Sequence, residues 1–172
     1  MIIDCHGHYT TAPKQLDDYR RLQLAGCDCP KDSRGAHLLP HPVISDDEIR
    51  ESLETKQLRI QRERGTDLTI FSPKAVGMGH HLGDEQTSRA WATVSNDLVH
   101  RVCQLYPENF VGVCQLPQSP GVPPKHAIGE LERCVKMGFI GCNLNPDPGG
   151  GHFQHPPLTD RYWYPIFEKM VE

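Results

Sequence analysis

Met1-Ile2-Ile3-Asp4-Cys5-His6-Gly7-His8 opens the chain, a short apolar run that leads straight into two histidines one residue apart. A run of this kind reads as a buried strand. On an extended strand successive side chains alternate faces, so Asp4, His6 and His8 are expected to share one side. Gly7, between the histidines, keeps the other face clear at that point. Two imidazoles presented together from a strand end suit one metal ion, zinc or another borderline metal. Asp4 is then a candidate to orient one imidazole from behind. The plainer alternatives are a polar strand end whose histidines meet water, and an Asp4 that only hydrogen-bonds within the interior.

Working outward, the stretch from about Tyr9 to Pro42 is polar, has few apolar anchors and carries no expected element. Ser45-Asp46-Asp47-Glu48 is a capping box in which Ser45 caps a helix and Glu48 reaches back to it. That helix runs through Ile49, Leu53, Leu58 and Ile60 and stops at Gly65. Asp67 to Phe71 reads as a strand ended by Ser72-Pro73. A second helix spans Asp84 to Tyr106, with Trp91, Val94, Leu98, Val102 and Leu105 along one face. Phe110 to Cys114 is the third strand, Lys125 to Met137 the third helix and Phe139 to Leu144 the fourth strand. A glycine-rich loop follows, and Asp160 to Val171 begins another helix.

Short strands, apolar on both faces and alternating with helices, indicate an α/β protein with a parallel sheet. Four βα units in order match the first half of a TIM (β/α)8 barrel, with a doubly wound sheet as the other arrangement the pattern allows. A closed barrel takes about 250 residues. The 172 residues, expected to form part of one domain over 1–172, fall about four strands short of that.

Hydrophobic residues make up 37% of the chain and charged residues 23%, the balance of a soluble globular protein. No apolar run reaches the length of a membrane span, and residues 1 to 20 show no basic segment followed by an apolar one, so no secretory signal is expected. A net charge of −4 argues against a nucleic-acid partner. Seven cysteines are scattered along the chain. Cys5, Cys103, Cys114 and Cys142 sit in apolar patterns, where free cysteine behaves as a small hydrophobe. A disulfide framework is therefore not expected, and a reducing cytoplasm fits best.

Ile3-Asp4-Cys5-His6-Gly7-His8 resembles the opening signature of the amidohydrolase superfamily, in the amidohydrolase-2 branch that includes aminocarboxymuconate semialdehyde decarboxylases and related lyases. Further stretches are similar to those of the branch's hydratases from bacterial protocatechuate and gallate degradation. They are His6-Gly7-His8-Tyr9-Thr10-Thr11-Ala12-Pro13-Lys14, Phe71-Ser72-Pro73, Leu116-Pro117-Gln118-Ser119-Pro120-Gly121-Val122 and Asn143-Leu144-Asn145-Pro146-Asp147-Pro148. Pro156-Pro157-Leu158-Thr159-Asp160-Arg161 and Trp163-Tyr164-Pro165 belong with them.

The resemblance implies a metal-dependent barrel with a catalytic zinc, His6 and His8 as two of its ligands, and a lyase that adds water across a conjugated double bond of a small polycarboxylate. It also implies a further histidine after the fifth strand and an acidic residue from late in the barrel. Residues 1–172 reach neither, so the chain is expected to be an N-terminal part with an incomplete ligand set and little activity of its own. Two other readings remain: a decarboxylase or hydrolase of the same branch, and a catalytically inactive fragment. Unpaired sheet edges would favour association, making a homo-oligomer a further expectation.

The loops after the strands supply the remaining candidates. Lys74, two residues beyond the second strand, is the cation expected to meet a substrate carboxylate on a protein of net negative charge; the alternative is an ordinary exposed lysine. Of His80 and His81, at most one is expected to act, as proton donor or substrate hydrogen bond. Asn143 and Asn145 end the fourth strand and are placed either to bind substrate or to cap the loop. Gly149-Gly150-Gly151 lacks the Lys-Ser/Thr of a phosphate cradle and reads as a flexible active-site loop. Cys27-x-Cys29 with His37-x3-His41 evokes a structural zinc site, but the cysteines are too close in sequence and a polar loop is the expectation.

Overall fold

In the computed structural model, which describes residues 1–27, 39–74, 79–153 and 155–172, four strands lie side by side in chain order. They are β1 (Ile3–His8), β2 (Leu68–Ser72), β3 (Phe110–Gln115) and β4 (Gly141–Asn143), and every neighbouring pair is parallel. Helices fill the crossovers: α1 (Lys14–Cys27), α2 (Asp46–Ser52) and α3 (Leu58–Glu63) before β2, α4 (Glu85–Leu105) before β3, and α5 (Ile128–Lys136) before β4. α6 (Tyr164–Val171) follows β4. A doubly wound sheet would reverse its strand order at a switch point; here order in space equals order in sequence, the arrangement of a half-barrel.

The capping box read from sequence is in place. The Ser45 side chain accepts from the Glu48 N–H, and the Glu48 carboxylate accepts from the Ser45 N–H at 2.7 Å. Asp84 caps α4 by accepting from the Thr87 N–H at 2.8 Å. The α4 stripe of Trp91, Val94, Leu98 and Val102 is buried, in one cluster with Phe71 and Phe110 of the sheet. Ile49, Leu53 and Leu58 from α2 and its continuation join that cluster, as do Leu131 of α5 and Ile166 of α6. Each such side chain contributes roughly 1.5–3 kcal/mol on burial.

Two features depart from expectation. The polar stretch after β1 contains α1, whose buried face is Leu16, Tyr19, Arg20 and Gln23. Half of that face is polar, which hides the helical period. Gln23 is accommodated because its amide donates to the Thr87 carbonyl at 3.3 Å, and Arg20 because its guanidinium donates to the Gly79 carbonyl at 3.0 Å. The second departure is β1 itself, which is not a buried strand: Ile3 is 48% exposed. Its only partner strand among the described residues is β2.

α2 and α3 are joined through a π-helical turn, Leu53–Gln57. Such turns shift helix register by one residue and recur near functional sites. Gln57 on this turn donates to the His8 carbonyl at 2.8 Å and accepts from the Thr11 hydroxyl at 2.8 Å. It thereby fixes the backbone where β1 ends.

A candidate metal centre at the mouth of the half-barrel

His6 and His8 meet. Their Nε2 atoms are 3.1 Å apart, with ring centroids 4.6 Å apart and the planes near perpendicular at 85°. Two nitrogens each about 2.05 Å from one tetrahedral zinc stand roughly 3.3 Å apart, so this pair already has the separation of two ligands on one ion. The residues present therefore fit a metal, and imidazole ligands suit zinc or a similar borderline ion. No group of three or more His, Cys, Asp or Glu side chains able to hold a metal occurs among the described residues. The pair would supply two ligands of a four-coordinate site.

The two rings share one face, as alternation foresees, but Asp4 does not join them. The three steps from Asp4 to Gly7 on β1 are matched by the two steps from Thr69 to Phe71 on β2, so β1 carries a bulge. Asp4 pairs with Thr69 and shares with Gly7, Thr69 and Phe71 a groove on the helix side of the sheet, whereas His8 pairs with Ser72. Asp4 therefore does not share the histidines' face. Its carboxylate accepts from the His6 backbone N–H at 3.1 Å rather than from an imidazole. The sequence clue was Gly7, since a lone glycine within a strand pattern often marks a bulge. A Cβ there would fall 2.3 Å from Thr69 Cγ2, so the strand needs glycine for close approach to β2.

The other candidates divide. Lys74 does not project alone toward the mouth: its Nζ sits 2.9 and 3.0 Å from the two Asp17 carboxylate oxygens on α1. His80 is 2% exposed, with Nδ1 accepting from the Gln118 N–H at 3.4 Å and lying 3.3 Å from Ser88 Oγ. Burial, followed by the nearby charge of Arg20 and of His81, pushes its pKa down to about 4. It is a neutral imidazole at pH 7 and a poor proton donor in that setting. His81 is exposed and lies against the glycine loop.

Asn145 takes the capping role, accepting from the Asp147 N–H at 3.0 Å, while its backbone pairs with the Gln118 side chain. Asn143 makes no side-chain hydrogen bond among the described residues and stands opposite Gln115 in the β3–β4 register. The loop after it is cinched by the Asp147 carboxylate, which accepts from the backbone N–H groups of Gly149, Gly151 and Phe153. Gly150 has φ 72°, and a Cβ there would strike the His81 ring. Cys29 and His37 of the Cys-x-Cys motif lie outside the described residues.

Sequence reasoning missed Ser72, Gln57 and Gln115. Ser72 Oγ lies 2.7 Å from His8 Nδ1. Gln115 is fully buried, with its backbone gripped on both sides by the Asn96 amide, at 2.8 and 2.9 Å. Only the Phe71-Ser72-Pro73 stretch carried a hint, through its place in the resemblance.

Comparison with known proteins shows the family and the fold. Over 173 aligned residues the chain is 58% identical to 2-keto-4-carboxy-3-hexenedioate hydratase from Sphingobium sp. (strain NBRC 103272 / SYK-6), covering all of this chain and 49% of that protein. The crystal structure of 4-oxalomesaconate hydratase from Rhodopseudomonas palustris superposes with a TM-score of 0.86 at 55% identity, over 99% of this chain and 49% of that one. The 5-carboxyvanillate decarboxylase of Novosphingobium aromaticivorans shares the fold, with a TM-score of 0.64 at 23% identity over 99% of this chain and 48% of that one. The chain thus spans about half the length of these relatives. The amidohydrolase family profile matches residues 3–172, and the chain belongs to the amidohydrolase family.

Proposed function

We propose that this chain is the metal-gripping N-terminal part of a zinc-dependent hydro-lyase that adds water to 4-oxalomesaconate in bacterial protocatechuate and gallate degradation. The observation that carries the proposal is the converged His6–His8 pair, at 3.1 Å, on a chain more than half identical to two hydratases. Zinc held there would polarise a substrate oxygen or lower the pKa of a bound water toward ~7, and either serves hydration of an activated alkene. The chain's own residues orient and hold: Gln57 and Ser72 fix the end of β1, and Gln118 and Asn145 tie the β3 and β4 loops together. Asn143, at the C-terminal end of β4, is the side chain we assign to binding a small polycarboxylate. Lys74 reaches such a substrate only by leaving Asp17.

A cytoplasmic setting accords with the free thiols of Cys5, Cys103, Cys114, Cys134 and Cys142. No helix among the described residues is long and apolar enough to cross a membrane. Among the described residues two imidazoles would leave a catalytic zinc at least one protein ligand short of the usual three, so the chain alone is expected to have little or no activity.

The test is a chimera in which this chain replaces the matching half of the R. palustris hydratase. Loss of the substrate's ultraviolet absorbance should return with the chimera and vanish in a His6→Ala, His8→Ala version. A folded, zinc-loaded chimera that leaves 4-oxalomesaconate untouched would overturn the substrate assignment.

A further inference from the structure

We infer that Ser72 is a positioning residue that selects the tautomer of His8, locking the proton on Nδ1 so that Nε2 faces the metal bare. The inference rests on the metal reading above and is carried by three contacts, two made by one buried hydroxyl and one by the imidazole nitrogen it faces. Ser72 Oγ donates to the Gly7 carbonyl at 2.9 Å and lies 2.7 Å from His8 Nδ1, which is itself 3.1 Å from the Pro73 carbonyl.

The two carbonyl oxygens can only accept. If Ser72 gives its single hydrogen to Gly7, its oxygen is left as an acceptor, and an Nδ1–H satisfies both Ser72 Oγ and Pro73 O. All three contacts are then attractive. With the proton on Nε2 instead, a bare Nδ1 lone pair would face the Pro73 oxygen, and Ser72 would have to abandon Gly7 to bond it. Ser72 is 3% exposed, so bulk water is not at hand to replace it.

The same residue also ties β1 to β2 through its backbone, where its carbonyl accepts from the Tyr9 N–H at 2.8 Å. The Phe71-Ser72-Pro73 stretch thus acquires a physical role. Its serine and the following carbonyl form one acceptor cradle for the ring that grips the ion. Partners of this kind around metal-bound histidines typically govern affinity by 10–100-fold.

The experiment has two readouts on the chain as it stands. Long-range 1H–15N NMR of the zinc-free protein reads the His8 tautomer, with its signals assigned by their loss in His8→Gln. Competition with a chromophoric chelator reads zinc affinity. The native chain is expected to hold His8 as the Nδ1–H form. Ser72→Ala should mix the tautomers and weaken zinc about 10–100-fold, and Ser72→Thr, which keeps the hydroxyl, should restore both.

A native His8 protonated on Nε2 overturns the inference whether or not any variant folds. So does a folded Ser72→Ala protein with native tautomer and native zinc affinity, or a folded Ser72→Thr protein no better than Ser72→Ala. If the native chain takes no zinc while His8 remains in the Nδ1–H form and responds to Ser72→Ala, the metal reading fails and the Ser72 assignment stands.

Discussion

His80 makes stability depend on pH in a window that a single substitution should erase. Its imidazole is held at about 4 rather than the ordinary 6.5, first because burial strips it of water and then because Arg20 and His81 stand near. Between those values the unfolded chain binds a proton there and the folded chain does not. Stability from this group is therefore complete above about pH 6.5 and falls as pH drops toward 4. The full difference corresponds to roughly 3 kcal/mol, of which about 2 kcal/mol is lost by pH 5. For a chain of this size that amounts to a fall in Tm of about 4–8 °C. Urea unfolding at pH 7.5 and pH 5, for the native chain and for His80→Gln, isolates the contribution, since the carboxylates titrate alike in both proteins. The native chain should lose about 2 kcal/mol more than the variant. Equal losses would mean that His80 titrates freely, and that the buried, neutral imidazole described above is wrong.

Other expectations follow from contacts at named positions. Gly7→Ala drives a methyl to 2.3 Å from Thr69 Cγ2, so it should cost about 1–3 kcal/mol by chemical denaturation and weaken zinc binding by displacing His6 from His8. Leu58→Ala, at a fully buried position of α3, should cost about 2–5 kcal/mol in the same assay. Lys74→Ala breaks a half-exposed pair with Asp17, so unfolding should change by less than about 1 kcal/mol. In the chimeric hydratase, an unchanged KM for that variant would remove Lys74 from substrate binding.

The half-barrel was legible because its buried faces carry the right periods and its helices carry their caps. Ser45 and the Trp91 to Val102 stripe each announce a helix that the structure contains. α1 stayed hidden because Arg20 and Gln23 occupy buried positions, stabilised by Gly79 and Thr87, partners 59 and 64 residues away. The histidine pair was visible as a motif, but the face assigned to Asp4 was not, because alternation assumes a regular strand and β1 bulges between Asp4 and Gly7. The ion pair of Lys74 was hidden for a related reason. Its partner Asp17 lies 57 positions away in a helix the sequence did not reveal. Ser72 gave no signal of its own, since a serine before a proline reads first as a turn and only the register places its hydroxyl on His8.

Whether His6 and His8 together grip one metal ion is decided by zinc titration of the purified chain followed by X-ray absorption at the zinc edge. The titration should give one zinc per chain with nitrogen ligands at about 2.0–2.1 Å, and the His6→Ala, His8→Ala protein should lose that site. A double variant that binds zinc as tightly as the native chain, with the same absorption edge, would contradict a shared grip on the ion.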